Sequence, residues 1–589
     1  MRVCSCLLLC LLLFTANSHA QPLVSSDGVL NAASYIPSGL PASGIAQGSM
    51  FVVFGKGLGP SNLVMAGMPR PTELQGTSVR VSSGGSSAAA YLVYVSSGQL
   101  AAILPSDMPE GNGTVTVTYG GQTSAPAPIR VVRSAFGIFT RNQAGFGPAI
   151  VQNYVSPAEA PLNALNAAAR AGQVEILWGT GLGPIKANDG AAPPVGNVDV
   201  SVEVFVGGRS ARLLYWGRSP QFPGVDQINF EVPAGIEGCH VPVAVKTGDV
   251  VGNYASLSIS SSGRLCSDPT SYSLDEVNRA EQRGEARIGA VILNRLDFMA
   301  APFYPGVIRY GAGQAQFSRR DLNGLLSSLG TLEQGKSAPL LSAPVGTCTV
   351  FIYRFNDETG DLTPLMGVPM TGLKTGSVLN VTGPKGSKQL TISRGDGYFK
   401  ADLKGGVPGG PAAPDYLEPG VYTVDNGSGG SDVGAFRGTL TIPAPLIWTN
   451  RESIQTVQRK QDLTVTWRGG DPANQLVLIG GDSSRSELGV RGSFLCMERA
   501  DAGRFTVPAM ILSSLPASSP LGEDFPPVVM VGAVSPAEGS RLSAPGVDIG
   551  RLAYQMITAT LVTFQQEPAG ESSRRGGSNA ALTRVGTGC

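Results

Sequence analysis

An internal repeat constrains this chain more than any other feature of its sequence. Gln47–Pro60 reads Gln-Gly-Ser-Met-Phe-Val-Val-Phe-Gly-Lys-Gly-Leu-Gly-Pro, and Gly172–Pro184 reads Gly-Gln-Val-Glu-Ile-Leu-Trp-Gly-Thr-Gly-Leu-Gly-Pro. In both copies, a strand rich in β-branched and aromatic residues leads into Gly-x-Gly-Leu-Gly-Pro. Because the copies start about 125 residues apart, the repeated unit is a whole domain and not a solenoid repeat.

The two copies also share their later strands and turns. Thr77–Val81 corresponds to Val200–Val204, and each of these runs is followed by a Gly-Gly turn. Gln99–Pro105 corresponds to Gln227–Pro233, after a longer insertion in the second copy. About seven short strands with closely spaced turns are typical of a β-sandwich. We therefore predict immunoglobulin-like β-sandwich domains at residues 27–133 and, with a linker, at residues 134–266.

The second copy carries motifs that resemble a known family. Its residues Leu177–Pro184, Tyr215–Phe230 and Gly238–Val243, with Asn153 and Asn163 of the preceding linker, resemble the Solibacter-type uncharacterised secreted-protein domain. That family is similar to the IPT/TIG branch of immunoglobulin-like folds. The resemblance spans roughly residues 27–265 and implies a fold, but no catalytic residue and no ligand. This sequence departs from the family because the region is N-terminal and its first copy lacks the cysteine pair.

Residues 270–335 have a different pattern and are predicted to be partly helical. Ser273-Leu-Asp-Glu276 is a capping-box pattern, which indicates a polar helix that ends near Gly284. Arg287–Leu296 either extends this helix or forms a strand. Asp321–Leu329 is predicted to form another short helix.

From Val345 onward, short strand patterns return and predict β-sandwiches at residues 340–445 and 447–565. Trp467 lies within an alternating run, which indicates a core position. Residues 566–589 have linker composition and are predicted to form a flexible tail. The fold class is therefore mainly β, with tandem immunoglobulin-like β-sandwich domains and a small helical segment in the middle. The 78 glycines and 43 prolines agree with many short strands joined by turns.

The N-terminus predicts export. Arg2 precedes the short apolar run Leu7–Phe14, and Ser18-His19-Ala20 is a small-x-small cleavage site, so residues 1–20 are interpreted as a signal peptide. A lipoprotein alternative would use Cys10, but a leucine directly before that cysteine fits such a site poorly. Since no later run is long enough for a membrane helix, we expect a secreted or cell-surface protein without an integral membrane segment.

Export favours disulfide bonds among the cysteines that remain after cleavage. Cys239 and Cys266 bracket the last predicted hairpin of the second copy, so we pair them. We also pair Cys348 with Cys496, which leaves Cys589 over. Connectivity does not follow from sequence alone, so both pairs are predictions.

Charge and histidine content argue against several function classes. Lys and Arg together number 43, as do Asp and Glu, so no basic excess indicates a nucleic-acid partner. His240 is the one histidine left after signal cleavage, and a lone strand histidine is usually structural. Without further histidines or Cys-x-x-Cys spacing, neither a serine triad nor a zinc site is indicated. The expectation is a protein without cofactor or metal that is not an enzyme.

Three other motifs have weak functional interpretations. Gly55–Gly59 resembles a phosphate loop, but Thr180 replaces Lys56 in the second copy and no helix follows, so we interpret it as a turn. Asp425–Asp432 offers oxygen ligands for calcium without the EF-hand order, and a hairpin loop is the alternative. Arg394-Gly-Asp396 matches a cell-attachment tripeptide at a predicted β-turn.

Carboxylates leave one enzyme class open, because glycoside hydrolysis needs only two suitably spaced carboxyl groups. The candidates in the 270–450 region occur in a helical segment and in a turn, and a solvated surface is the alternative interpretation. They are Glu276, Glu281, Glu285, Asp357, Glu358 and Asp361.

Aromatic residues supply the candidate ligand contacts. Tyr215, Trp216 and Phe222 frame the insertion Arg218–Pro223 of the second copy, and aromatic loops stack on sugars or anchor protein partners. We therefore predict an exported, non-catalytic binding or scaffolding protein whose partner is a glycan or a cell-surface protein. The alternatives are a carboxylate-based glycan-active enzyme and a structural spacer.

Overall fold

The computed structural model describes residues 20–261, 264–267, 273–299, 306–321, 343–354, 371–393, 395–403, 415–536 and 538–565. Several sequence predictions fall outside these residues. They are the signal peptide apart from Ala20, the helix at 321–329 apart from its first residue, the carboxylates Asp357, Glu358 and Asp361, Arg394, and the tail with Cys589.

The first repeat copy forms two facing β-sheets. One sheet has the strand order β1-β3-β9-β8-β4 and the other β2-β12-β10-β6-β5, with β7 and β11 at the side. Because successive side chains of a strand point to opposite faces, the valines at alternate positions of β6 and β10 face the core; Val81 lies opposite Val115, and both are fully buried. The strands are β1 (Leu23–Asn31), β2 (Ile45–Ala46), β3 (Met50–Lys56), β4 (Val64–Met65), β5 (Glu73–Leu74), β6 (Thr77–Ser83), β7 (Ser86–Ala89), β8 (Tyr91–Val95), β9 (Gln99–Ile103), β10 (Gly111–Tyr119), β11 (Gln122–Thr123) and β12 (Ala127–Val132).

The second copy repeats this architecture. Its sheets have the orders β13-β15-β19-β18 and β17-β16-β20-β21, so β15, β19 and β18 take the places of β3, β9 and β8. The strands are β13 (Gly137–Ile138), β14 (Val151–Asn153), β15 (Val174–Thr180), β16 (Val202–Val206), β17 (Arg209–Ser210), β18 (Arg212–Arg218), β19 (Asp226–Glu231), β20 (Gly238–Thr247), β21 (Val250–Val251) and β22 (Ala255–Ile259). The predicted tandem of β-sandwiches is confirmed.

The capped helix forms where the sequence predicts it, and the described residues after it form strands. The helix α1 (Leu274–Arg283) begins at the predicted capping box, where Ser273 and Glu276 bond each other's backbone amides, and ends at Gly284 with a φ of +74°. The chain then turns into two fifteen-residue strands, β23 (Glu285–Met299) and β24 (Val307–Asp321), which pair along their whole length. The strand alternative for Arg287–Leu296 is therefore correct.

The remaining strands join β23 and β24 in one large sheet. Its order is β25-β36-β35-β38-β39-β23-β24-β29-β28-β27-β30-β31, with β26 beside β24, and smaller sheets are formed by β32-β34-β37 and β33-β40. The elements are β25 (Thr347–Arg354), β26 (Thr371–Gly372), β27 (Val378–Gly383), β28 (Gly386–Ile392), β29 (Tyr398–Asp402), β30 (Gly420–Asp425), β31 (Arg437–Ile442), β32 (Leu446–Trp448), β33 (Thr456–Val457), β34 (Leu463–Gly469), β35 (Leu476–Arg485), β36 (Val490–Arg499), β37 (Arg504–Val507), α2 (Ala509–Ser513), β38 (Val528–Val534), β39 (Ile549–Leu561) and β40 (Thr563–Phe564).

This sheet crosses the predicted boundary between residues 445 and 447. β25 belongs by sequence to the 340–445 segment, but all eight of its residues pair with β36. Two separate hydrophobic cores form all the same, one around Phe317 and Tyr422 and one around Trp467 and Phe494. Strand β38 contributes to both cores, with Ala533 in the first and Val529 and Val531 in the second. Each core also combines residues from both sides of that boundary, Tyr422 with Leu552 in the first and Val350 with Trp467 in the second.

Two disulfide bonds hold this framework, and both were predicted. Cys239 at the start of β20 is bonded to Cys266, 27 residues later. Cys348 and Cys496 lie directly opposite each other on β25 and β36, 148 positions apart in the sequence. The second bond therefore fixes the pairing that crosses the predicted boundary. Among the described residues, no helix has the length and apolar character that a membrane crossing needs.

Candidate binding site

A buried ion pair joins the two repeat copies. Arg218, at the end of β18, is 2% exposed and pairs with Asp226, the fully buried first residue of β19. Arg218 Nη2 also donates to the carbonyl oxygens of Gly183 at 2.6 Å and of Gly48 at 2.8 Å. Because Gly48 belongs to the first sandwich, a single guanidinium connects both domains. The predicted insertion at 218–223 therefore begins with a residue of the domain junction.

The glycine-rich loop of the second copy binds a carboxylate of its own chain. The amides of Gly181 and Leu182 donate to Asp226 Oδ2 at 2.6 and 2.7 Å. Burial acts to raise the pKa of Asp226, while the Arg218 charge and these amides act to lower it. In the first copy the corresponding loop ends a strand without a helix after it, as the turn interpretation requires. Neither loop is placed to hold a phosphate at a helix N-terminus.

Further polar contacts fix the same junction. Asn31 Nδ2 donates to the carbonyl oxygens of Ala135 and Thr180, both at 3.3 Å. Asp189 accepts hydrogen bonds from the amide and the hydroxyl of Ser106 at 2.7 and 2.8 Å. Sequence reasoning missed all of these residues, although the repeated glycine loop and the adjacent insertion were the available signal. The junction is built from buried hydrogen bonds, so the two sandwiches form one unit.

The three predicted contact aromatics do not form one platform. Trp216 packs against the core of the second sandwich, and its Nε1 donates to the carbonyl oxygen of Val198 at 3.1 Å. Tyr215 is half-buried and its hydroxyl donates to the carbonyl oxygen of Arg218 at 2.9 Å. Phe222 is 51% exposed on a loop whose Gly224 packs on Ile103 of the first sandwich. Phe222 is therefore the most exposed of the three.

A cavity of about 660 Å³ opens where three units meet, and we call it the three-unit cleft. Its walls come from residues 34–42 of the first sandwich, β20–β21 of the second, and β25 and α2 of the C-terminal half. Ile36 and Leu40 pack with Val250, Leu488 and Val490, which brings these three regions together. Pockets of roughly 300–1,000 Å³ are typical of small-ligand sites. The cleft is therefore a candidate binding site that sequence reasoning missed, because its residues are far apart in the chain.

The charges of the three-unit cleft come from two lysines and one carboxylate. Lys246 is half-buried and donates to Glu203 Oε1 at 2.8 Å, while Lys460 and Asp249 are exposed. Asp249 is the only acidic residue among the described residues that line this cavity. Glycoside hydrolysis needs two carboxyl groups at one site, and the described lining of this cleft supplies one.

The carboxylates of the helical segment are engaged in ion pairs. Glu276 is buried and accepts a hydrogen bond from Arg551 Nη2 at 2.9 Å. Burial raises the pKa of Glu276, but the hydrogen bonds and charge of Arg551 and the bonds from Ser273 outweigh it and lower the pKa overall. Glu281 pairs with Arg264 at 2.8 Å, and Glu285 lies 3.9 Å from Arg287. Glu276 therefore joins the helix to β39, Glu281 joins it to Arg264, and Glu285 lies near a residue of its own strand.

The other predicted sites have structural settings. His240 is buried in β20 beside the disulfide-bonded Cys239. Asp425 Oδ1 accepts hydrogen bonds from Asn380 and from the Gly427 amide, while Asp432 accepts from the Lys374 amide. Within the described part of the chain, no group of three or more metal-binding side chains is close enough to hold an ion.

One buried acid stands apart from these pairs. Glu175 on β15 is fully buried between Asn153 of β14 and Phe230 of β19. Neither of its carboxyl oxygens has a hydrogen-bond partner among the described residues. Burial raises the pKa of Glu175 to about 9, so the group is protonated at neutral pH.

No protein-family model and no curated protein matches the sequence. Similar solved structures include SGBP-B from a complex xyloglucan utilization locus in Bacteroides uniformis, with 10% identity over 65% of this chain and 86% of that one and a TM-score of 0.15. Domains 4–9 of the surface layer protein SbsC show 10% identity over 90% and 84%, with a TM-score of 0.17. The γ-CGTase of alkalophilic Bacillus clarkii shows 12% identity over 46% of this chain and 34% of that one, with a TM-score of 0.14.

The chain thus spans about a third of the length of the γ-CGTase. TM-scores this low do not establish a common global fold, so the proposals below depend on the residues of this chain alone.

Proposed function

We propose that this chain is an exported, non-catalytic binding protein of the cell surface or extracellular space, and that it binds a glycan. The observation that carries the proposal is the three-unit cleft, a cavity of about 660 Å³ built by three β-units and lined by polar and apolar groups. The sequence supports export through the signal peptide at residues 1–20. Two disulfide bonds agree with an oxidising compartment.

Two further features support a binding role. The polar junction around Arg218 holds the first two sandwiches together, so loops and cleft walls are presented in a fixed arrangement. Phe222 projects from this junction and is 51% exposed, which suits stacking on a sugar ring or contact with a partner protein. The Solibacter-type resemblance fits such a protein and stays a prediction.

The two alternative functions require different structural features. A carboxylate-based glycosidase needs two carboxyl groups about 5–10 Å apart at one site. The described acids of the helical segment are held in ion pairs with Arg551, Arg264 and Arg287 instead. A structural spacer needs neither a cleft nor an exposed aromatic loop.

Variants of the cleft and the loop test the proposal on a glycan array with the disulfide-bonded protein. We expect Asp249→Ala to weaken binding of an array hit about tenfold, because a charged hydrogen bond to a ligand contributes about 1.5 kcal/mol. Asp199→Ala changes an exposed aspartate outside the cleft and should leave binding unchanged.

Phe222→Ala distinguishes the loop from the cleft. Binding that depends on Phe222 and not on Asp249 would move the site to the loop and keep the binding function. The fold should be unaffected, because half of the Phe222 side chain is already exposed. An array without any bound glycan, for the unsubstituted protein as for the variants, would contradict the proposal.

A further inference from the structure

A second cavity, of about 620 Å³, lies across the ridge formed by residues 38–43. Leu40 and Pro41 line both this cavity and the three-unit cleft, so the ridge separates the two. The other walls come from β12 of the first sandwich and from the C-terminal half around Pro516. We call this cavity the arginine groove, after the residues described next.

Positive charge dominates the arginine groove. Arg130 from β12, Arg485 from β35 and Arg459 line it, whereas Asp27 is its only carboxylate among the described residues. The three arginines come from segments far apart in the sequence. Since the whole chain has equal numbers of acidic and basic residues, this local excess arises from the fold and not from composition.

The three arginines differ in the contacts that their guanidinium groups already make. Arg130 is exposed and donates to the carbonyl oxygen of Pro41 at 2.8 Å, a contact that leaves its positive charge without a described carboxylate. Arg485 pairs with Glu487, whose side chain is 64% exposed. Arg459 is 7% exposed and donates to the carbonyl oxygen of Ser513 at 3.0 Å. Arg130 is therefore directly available to a ligand, Arg485 becomes available when it exchanges Glu487 for a ligand anion, and Arg459 supplies charge from the wall.

The chemistry of the lining indicates the class of ligand. A guanidinium presents planar pairs of N–H donors that match carboxylate and sulfate oxygens. Ser38, Ser43 and Asn112 add hydroxyl and amide groups, and Pro41 and Pro128 add apolar faces. A mixture of anion-binding, hydrogen-bonding and apolar groups suits a sugar that carries an acidic group. The volume exceeds what a single inorganic anion fills.

We propose that the arginine groove binds an acidic oligosaccharide through the carboxylate or sulfate groups of its sugar units. This inference rests on the proposed function, because it specifies the class of glycan and adds a second contact surface. The shared chemistry is an anionic group on a hydroxylated ring. Uronic acids and sulfated sugars are the two sources of that group.

The test uses isothermal titration calorimetry on the full disulfide-bonded protein. The probes are a galacturonic acid tetrasaccharide, a heparin-derived tetrasaccharide and neutral cellotetraose. We expect at least one acidic probe to bind more tightly than cellotetraose, and its affinity to fall as NaCl is raised, because salt screens exposed charges. The acidic probe that binds identifies carboxylate or sulfate as the source.

Substitutions locate this binding. Arg130→Gln combined with Arg485→Gln should weaken the acidic probe at least tenfold. Arg209→Gln is the matched control, because Arg209 is also exposed and donates to a backbone carbonyl, that of Ala234 at 2.7 Å. Thermal unfolding of each variant shows whether the fold is retained.

Three results would overturn the groove assignment. The first is that neither acidic probe binds. The second is that the Arg209→Gln control loses as much affinity as the double variant. The third is preferential binding of polyglutamate, which would indicate an acidic protein as partner. A neutral glycan hit that persists in the double variant would leave the proposed function standing while the groove assignment fails. No binding to any glycan would contradict both.

Discussion

Replacing Arg218 with methionine is expected to destabilise the second sandwich by about 3–5 kcal/mol, the usual cost of leaving a buried charge without its partner. Arg218 is 2% exposed and Asp226 is fully buried, so water cannot replace the lost contact. The substitution also removes the hydrogen bonds to Gly183 and Gly48. We therefore expect weaker association of the first two sandwiches as well as lower stability.

Hydrogen exchange in urea, followed on peptides of β15 and β19, measures this loss within the full chain. Arg212→Met is the control, since Arg212 forms an exposed ion pair with Glu231 on the same two strands, and exchange should be unchanged. The double variant Arg218→Met, Asp226→Leu should be more stable than Arg218→Met alone, because no buried charge is left uncompensated. Equal stability of Arg218→Met and the Arg212→Met control would show that the ion pair does not hold the junction.

Glu175→Gln is expected to stabilise the second sandwich by about 3 kcal/mol at pH 7. The folded chain keeps the proton of Glu175 up to a pKa of about 9, whereas the unfolded chain releases it near 4.5. The raised pKa therefore lowers stability progressively as the pH rises from about 4.5 toward 9. Glutamine has nearly the same shape and cannot ionise, so it removes this pH dependence.

The same exchange measurement at pH 4.5, 6 and 7 tests the direction of this pH dependence. The advantage of Glu175→Gln should be near zero at pH 4.5 and grow by about 1.4 kcal/mol for each pH unit above it. Glu237→Gln, on an exposed turn, is the control and should show no such trend. A constant advantage at every pH would mean that Glu175 does not titrate between the two states.

Repetition and alternation were the sequence signals that predicted structure well. The tandem sandwiches, the capping box at Ser273 and the core position of Trp467, which is 4% exposed, are all present in the structure. Both cysteine pairs are also present. Most of these features depend on residues close in sequence or on a repeated spacing, whereas the Cys348–Cys496 bond joins residues 148 positions apart.

The central strands of the large sheet were harder to predict. Ile549–Leu561 and the second strand of the long hairpin, Val307–Asp321, lack a clear alternation of apolar and polar residues. Strands with neighbours on both sides and buried positions on both faces lose the period of two that identifies half-exposed strands. Strand β23, which follows the capped helix α1, also has consecutive buried residues, so its full length could not be predicted from alternation.

The candidate sites were the least predictable part. The three-unit cleft and the arginine groove are each lined by residues from three distant segments of the chain. No local sequence motif indicates that these segments lie close together in the fold. The aromatic loop was visible in sequence, but Trp216 packs into the core, which leaves Phe222 as its exposed member. Trp216 lies in β18 and Phe222 in the loop that follows it, and sequence spacing alone did not indicate this difference in exposure.

Mass spectrometry of a glycan recovered after incubation with the protein tests the central claim most directly. The glycan is one that the array identifies as bound, and the protein has its disulfides intact. We predict that the glycan is retained by the protein and recovered with its mass unchanged. Recovery of shorter products would contradict a non-catalytic binding function and would direct attention to the carboxylates of the 270–450 region.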